Sequence, residues 1–341
     1  MRSRWRAAVS CAAVLLAAAS AGAATRPHYG GTLRVEVRDV NQTPDPPQTG
    51  STIAQLSAAF TVSEWIGGSR AVYAASESAA GGRPFLDRIE IQMGRSLSEQ
   101  SIDLDLGKAD VVEADSAEIR RAAAPKKLWT SSPVRILLLV FGPRVQDAGV
   151  REALALAVDR PAIHAVLLQR QGEISGALLP QWLSGYAFLF PAAQDLARAR
   201  ALSAAAPPPA RTFSLGASTT ILRRIADRIA LNARDAGLTV TRPAPGAPPD
   251  VTLAEVRISS DDPARALAAL ASALGAPEPA RTDSPDALYT AERGLLEAFR
   301  FVPLFHLPDS YAVAPRVQGG PAITPLGEWR FESVWLEGRL P

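Results

Sequence analysis

The chain of 341 residues has one cysteine, Cys11, three histidines and three lysines, and aromatic residues make up only 6% of it. A single cysteine excludes an internal disulfide, so whatever holds the fold together is non-covalent. His28, His164 and His306 are too far apart in sequence for the close spacing of a zinc site. No serine lies in a Gly-x-Ser-x-Gly elbow and no phosphate-binding loop is present, so the local signatures of a hydrolase or nucleotide enzyme are missing. Neither a metal nor another cofactor is called for. Lysine occurs only at 108, 126 and 127 and arginine carries the remaining positive charge. No basic stripe interleaved with aromatics is found, and nucleic acid is not an expected partner. Past the first residues, no apolar run approaches the ~18 residues needed to span a bilayer.

What the N-terminus does contain is Arg2, Arg4 and Arg6, an apolar run from Ala12 to Ala19, and the small residues Ala21-Gly22-Ala23. That order predicts a secretory signal peptide over residues 1–23, cleaved after Ala21 or Ala23. Cys11 precedes the apolar run and so cannot be a lipid-bearing cysteine. Of 36 basic residues, three lie in this segment, leaving 33 against 34 acidic ones. The exported chain is therefore near neutral, free of cysteine, and long enough for two domains with their own cores.

Strand and helix patterns then alternate. Leu33, Val35 and Val37 alternate with Arg34, Glu36 and Arg38, the period of a strand with one buried face, ended by Asn41-Gln42-Thr43-Pro44-Asp45-Pro46. Ser96 and Glu99 form a capping box for a helix that stops before Gly107. Val134 to Phe141 reads as a central strand. Val150, Ala153, Leu154, Ala157 and Val158 make one apolar helical face, and Asp159 with Pro161 starts a second helix expected to reach Arg170. Further helices are predicted from Asp195 to Ala205, around Ile221 to Ile229 and closed by Gly237, from Asp262 to about Leu274, and from Ser284. Strands are predicted at 211–216, 238–241 and 250–258, with Pro243 to Pro249 as a linker. Phe301, Leu304, His306 and Tyr311 punctuate an extended segment.

Three of these stretches carry a resemblance. GGTLRVE with a Pro-Asp-Pro turn, VREALALAVDRPAIHAVLL followed by a Gly-rich loop and Leu-Pro, and VPLFHLPDSYAV occur in the order seen in family 5 extracytoplasmic solute-binding proteins, the peptide- and nickel-type receptors of ABC importers. The resemblance implies an α/β, two-lobed periplasmic binding protein class II-like fold with discontinuous lobes and a hinge. Lobe one is expected at 26–140 and 303–341, and lobe two at 141–302. Between Thr52 and Phe60 the chain lacks the long insertion of full-length relatives, so most of the family's third subdomain is missing. Not an enzyme but a receptor is implied: it captures a small molecule or, above all, an oligopeptide by hinge closure. It then hands the ligand to ABC permease subunits, and is expected to be periplasmic and monomeric. The rival expectation is a transport-incompetent interaction or sensor scaffold derived from such a receptor.

Candidate ligand-binding residues follow from aromatics and polar groups near the matched motifs. Trp65 lies in the EW-x-x-G element, and Trp182 and Tyr186 flank the loop QWLSGYAFLF. Each suits ligand stacking or ordinary packing. Ser260 and Asp261 stand where relatives carry a ligand-facing Asp-x-x-Asp-Pro strand end; Asp261 either receives a ligand amine or is solvated beside the helix cap Asp262. His306 and Tyr311 lie on the expected return crossing near the hinge, where His306 is either buried and hydrogen-bonded or in contact with ligand.

Overall fold

The computed structural model describes residues 26–38, 45–47, 51–114, 127–186, 189–280 and 284–337. The expected export signal at 1–23 and the turn residues 41–44 lie outside the described residues.

Thirteen strands are found among the described residues: β1 Thr32–Glu36, β2 Phe60–Ile66, β3 Arg70–Ala75, β4 Arg88–Gln92, β5 Val111–Glu113, β6 Lys127–Phe141, β7 Glu173–Ile174, β8 Thr212–Ala217, β9 Thr239–Thr241, β10 Val251–Arg257, β11 Phe301–Val313, β12 Val317–Gln318 and β13 Trp335–Leu336. One sheet runs β2-β3-β4-β1-β5-β11-β6-β10-β8-β9, with β7 paired to β11, and β12 pairs with β13 separately. Strand β1 lies parallel to both β4 and β5, whereas β11 and β6 are antiparallel over almost their whole lengths. The fold is mixed α/β and two-lobed, and the two long strands belong to both lobes.

One core gathers Leu33, Val35, Ile89, Ile91 and Val111 with the far end of β11 and the C-terminal Trp329, Phe331 and Leu336. Trp329 is fully buried, stacks on Phe331 at 5.4 Å and meets Tyr311 edge-on at 5.5 Å. The C-terminal segment thus seals the lobe that the N-terminal strand begins. The other lobe has a core on each face of the sheet. Leu137, Leu139, Phe141, Val251 and Leu253 face one side, and Ile136 and Leu138 face the other with Leu178, Leu267 and Leu288. Continuous burial of β6 from Ile136 to Leu139 is what helices on both faces require.

Local signals explain the helices. Ser96 and Glu99 form the predicted capping box of Leu97–Asp105. Thr219 caps Thr220–Asp235 by accepting from Leu222 N, and Leu222, Ile225, Ile229 and Ala233 give it one buried face. Helix Ala148–Ala157 starts two residues before the apolar stripe because Asp147 accepts from Val150 N. Asp159 caps Arg160–Val166 as expected. That helix stops at Val166 and does not reach Arg170. Gln169 and Arg170 take φ of 52° and 64°, and Gly172 runs so close to β11 that a Cβ there would lie 2.2 Å from the His306 carbonyl. Pairing of Glu173–Ile174 with Phe305–His306 overrides the helical periodicity. Arg160 is buried and donates to the carbonyls of Ala155, Ala192 and Pro303. Burial pushes its pKa down to about 10, leaving it charged at neutral pH and tying the helix pair to the crossing strand.

Replacing Trp329 by Ala removes the largest fully buried side chain among the described residues and is expected to cost ~3–5 kcal/mol in urea unfolding. Val166→Ala, at a position 70% exposed, is expected to stay within ~0.5 kcal/mol. Equal effects of the two would contradict this core assignment.

Candidate functional site

Where β6 and β11 pass from one core to the other, their ladder is interrupted. Pro308 pairs with Pro133, and the register shifts between Leu307 and Pro308 and again between Pro308 and Ser310. Neither proline has a backbone N–H to give. Two of the three register shifts between the strands that join the lobes, and a facing pair of prolines, thus fall at the boundary, a suitable place for a hinge.

Charged side chains gather beside this break because the inward rows of two strands change character there. Along β6, Phe141, Leu139 and Leu137 are followed in phase by Arg135. Along β10, Val251 and Leu253 are followed by Glu255 and Arg257, and Arg257 stands opposite Arg135 in the ladder. Arg38 and Glu113 approach from the first lobe, joined by an ion pair of 2.8 Å and by the Arg38 N–H donating to the same carboxylate oxygen at 2.9 Å. Gln100 steadies Glu113 by accepting from its N–H at 2.8 Å. Arg38, Glu113, Arg135, Glu255 and Arg257 line a cleft of about 200 Å³ with Asp309 and Tyr311.

Asp309 is the link. One carboxylate oxygen lies 2.9 Å from Arg135 Nε and the other 2.5 Å from Arg257 Nη1. Arg135 also pairs with Glu255 and donates to Pro308 O at 2.7 Å. Arg257 Nη2 reaches the Leu326 carbonyl at 2.7 Å, so a residue of β10 grips the C-terminal segment that closes the first lobe. Burial works against the Arg135 charge, but Glu255 and Asp309 outweigh it and raise its pKa. Burial opposes the charge of Arg38 too, and Glu113 again prevails. Three guanidinium groups and three carboxylates balance across the cleft.

The seven residues expected from sequence are dispersed. Tyr311 lines the cleft, is 2% exposed and has its hydroxyl pKa raised by burial and by Asp309. Trp182 stands at the hinge, its indole N–H donating to Pro133 O at 2.8 Å. Tyr186 and His306 share a separate cavity of about 180 Å³ inside the second lobe. There His306 Nε2 lies 3.1 Å from Leu178 O and burial lowers its pKa to about 4, so it donates as a neutral ring. The Tyr186 hydroxyl donates to Glu292, which also accepts from Leu178 and Leu179 N–H. Ser260 Oγ accepts from Asp262 N, Asp262 caps Pro263–Ala273, and Asp261 is exposed beyond β10. Trp65 is half-buried on β2 at the far edge of the sheet, packed on the first core. Sequence reasoning missed Arg38, Glu113, Arg135, Glu255, Arg257 and Asp309. Charges in phase with an otherwise apolar strand row were the available signal.

Two lobes joined by paired strands with a polar cleft at the joint define a hinged binding protein. The chain belongs to the bacterial extracellular solute-binding proteins, family 5, whose sequence model matches residues 12–273. Members of this family are substrate-binding transport proteins, not enzymes. No curated protein matches the chain in sequence. Among solved structures it is similar to the ABC transporter substrate-binding protein CtaP of Listeria monocytogenes, with TM-score 0.68, 14% identity, and 82% of this chain and 66% of that one covered. The oligopeptide-binding protein AppA of Bacillus subtilis, in complex with a nonapeptide, gives TM-score 0.64 at 15% identity, with 84% and 70% covered. NikZ of Campylobacter jejuni, in complex with Ni(L-His), gives 0.66 at 17%, with 76% and 63% covered. These likenesses show the shared fold, and the chain spans about two thirds of the length of those proteins. No helix among the described residues is long and apolar enough to cross a membrane.

Glu292 is fully buried, and burial raises its pKa from 4.5 to about 7, against the hydrogen bonds from Tyr186, Leu178 and Leu179. A raised carboxyl pKa favours the fold below the unfolded value and loses that contribution as pH climbs through the folded one. His306, lowered from 6.5 to about 4, has the opposite trend, losing its contribution as pH falls. Comparison with Glu292→Gln isolates the carboxyl. Between pH 5 and 8 the wild type is expected to lose stability relative to the variant, by on the order of 3 kcal/mol at most. A pH-independent difference in urea midpoints would contradict the assignment.

Proposed function

We propose that this chain is the extracytoplasmic receptor of an ABC importer, with two lobes, expected at 26–140 with 303–341 and at 141–302, that meet at Pro133 and Pro308, since Ile136 to Phe141 and Val302 to Leu307 pack in the cores of the second lobe. One observation carries the reading: a charge-balanced cleft lies between two cores at the point where the strands joining them lose ladder bonds. A ligand that touches both walls only when they approach shifts the population toward the closed form, which a permease can recognise. An oligopeptide is the finer reading of the ligand. AppA, similar in fold, is described with a nonapeptide, and paired arginines and carboxylates suit the charged ends of a peptide. The small cleft volume supports the short end of that class, since ordinary ligand pockets run from ~300 Å³ upward. Tyr311 serves as an apolar wall of the site, and Trp182 holds its hinge-side rim. Trp65, Tyr186, Ser260 and His306 serve as supports within the lobes, and Asp261 is a solvated residue beside the helix cap Asp262. Export through a cleaved signal to the periplasm and action as a monomer complete the proposal.

A second reading, an interaction scaffold that no longer carries solute, is favoured by one observation. The protein's own ion pairs already span the cleft. Native and then denaturing mass spectrometry of the exported protein separates the two. The receptor reading expects a small solute that co-purifies and is released on unfolding, or a thermal shift with a peptide pool. A bare protein that no peptide, sugar or metal-chelate pool stabilises would favour the scaffold.

A further inference from the structure

The ion pair between Asp309 and Arg257 has the form of a bound ligand. Arg257 spends one guanidinium nitrogen on the Asp309 carboxylate, 2.5 Å away, and another on the Leu326 carbonyl at 2.7 Å. A carboxylate presented edge-on can take both nitrogens of such a fork, a stronger arrangement than a carboxylate and a neutral carbonyl sharing it. The side chain now filling the place can also withdraw. Asp309 falls in the gap between Pro308 and Ser310, which are paired to β6 while Asp309 is not. Its N–H donates instead to Ser131 Oγ at 2.9 Å. Moving this residue therefore breaks no rung of the ladder. Its other carboxylate oxygen lies 2.9 Å from Arg135, so Asp309 keeps a cation when it gives up Arg257.

On one side the pair packs against main chain, and on the other it faces the cleft. A Cβ on Gly327 would stand 2.6 Å from both Arg257 Nη2 and Asp309 Oδ2, so glycine, with φ of +77°, lets the pair lie against the main chain. Charge decides what can enter. Exchange of one carboxylate for another keeps each guanidinium paired, whereas a neutral or cationic molecule that parted Asp309 from Arg257 would strand a half-buried cation.

We propose that Asp309 holds the place of a ligand carboxylate on Arg257, and that the solute of this cleft is a compact molecule whose free carboxylate displaces it. The inference rests on the receptor reading and narrows it: the ligand is recognised by a carboxylate terminus, and Asp309 sets the affinity as an internal competitor.

The test uses two matched pools, free amino acids with dipeptides and tripeptides, and the same compounds as C-terminal amides, read by thermal shift and then by titration calorimetry. The acids are expected to bind the native protein and the amides ~10-fold or more weakly. Asp309→Asn removes the competitor and is expected to tighten binding of the acids by ~10-fold, while Arg257→Gln loses at least as much. The comparison of acids with amides on the native protein needs no variant, so it stands even where a substitution impairs folding. Equal binding of acids and amides would overturn the carboxylate assignment and leave the receptor reading in place. Unchanged or weaker acid binding by a folded Asp309→Asn protein would overturn the competitor role. No binding by either pool, with no solute co-purifying from the native protein, would overturn both the inference and the receptor reading.

Discussion

The antiparallel pairing of β6 with β11 is the constraint on which the rest of the structure depends. Both strands run from one core into the other, so the sheet is continuous across the two lobes, and their relative position is set by two chains in register. Long-range pairing of this kind is costly in loop closure, because more than 150 residues separate the partners. Burial on both faces at Ile136 to Leu139 supplies the compensating hydrophobic gain. At Pro133 and Pro308 the same pairing is interrupted, so the element that fixes the lobes also contains their point of least resistance.

Side chains take over where the backbone ladder fails. Arg135, Arg257 and Asp309, with the Pro308 and Leu326 carbonyls, form a network that crosses the break. Its groups are partly buried, and ion pairs of this kind give specificity of geometry more than net stability. Contacts made by exchangeable charges can be remade with other polar partners without exposing apolar surface of their own. The structure therefore joins two lobes firmly in register while leaving their approach angle to a handful of polar contacts.

Much of the fold was legible in the sequence because its signals are local. The period-2 row of Leu33 and Val35, the Ser96–Glu99 box, the Asp159-Arg160-Pro161 helix start and the Gly237 stop each act within a few residues, and each appears where it was expected. The helix does not continue to Arg170, as its periodicity predicts, because its end is dictated by a strand about 130 residues away that Gly172 approaches closely. The cleft was less legible for the same reason. Arg38, Glu113, Arg135, Arg257 and Asp309 come from five separate stretches, and only the sheet order makes them neighbours. Tyr311 stands out in the sequence because it lies in a family motif, whereas nothing in that motif marks the acid two residues before it. Aromatic residues drew attention through their chemistry, yet Tyr186 and His306 are engaged with Glu292 and Leu178 inside one lobe.

A few charged contacts over a broken ladder hold the two lobes together. The most direct measurement is the distance between spin labels on cysteines introduced at Glu77 and Asp227, both exposed and one in each lobe, in the native protein and in Gly327→Ala. A methyl at 327 would crowd Arg257 and Asp309. A shorter, narrower distribution is expected in the native protein and a longer, broader one in the variant. A single identical distribution in both would contradict it and leave the strand pair alone as what sets the lobes.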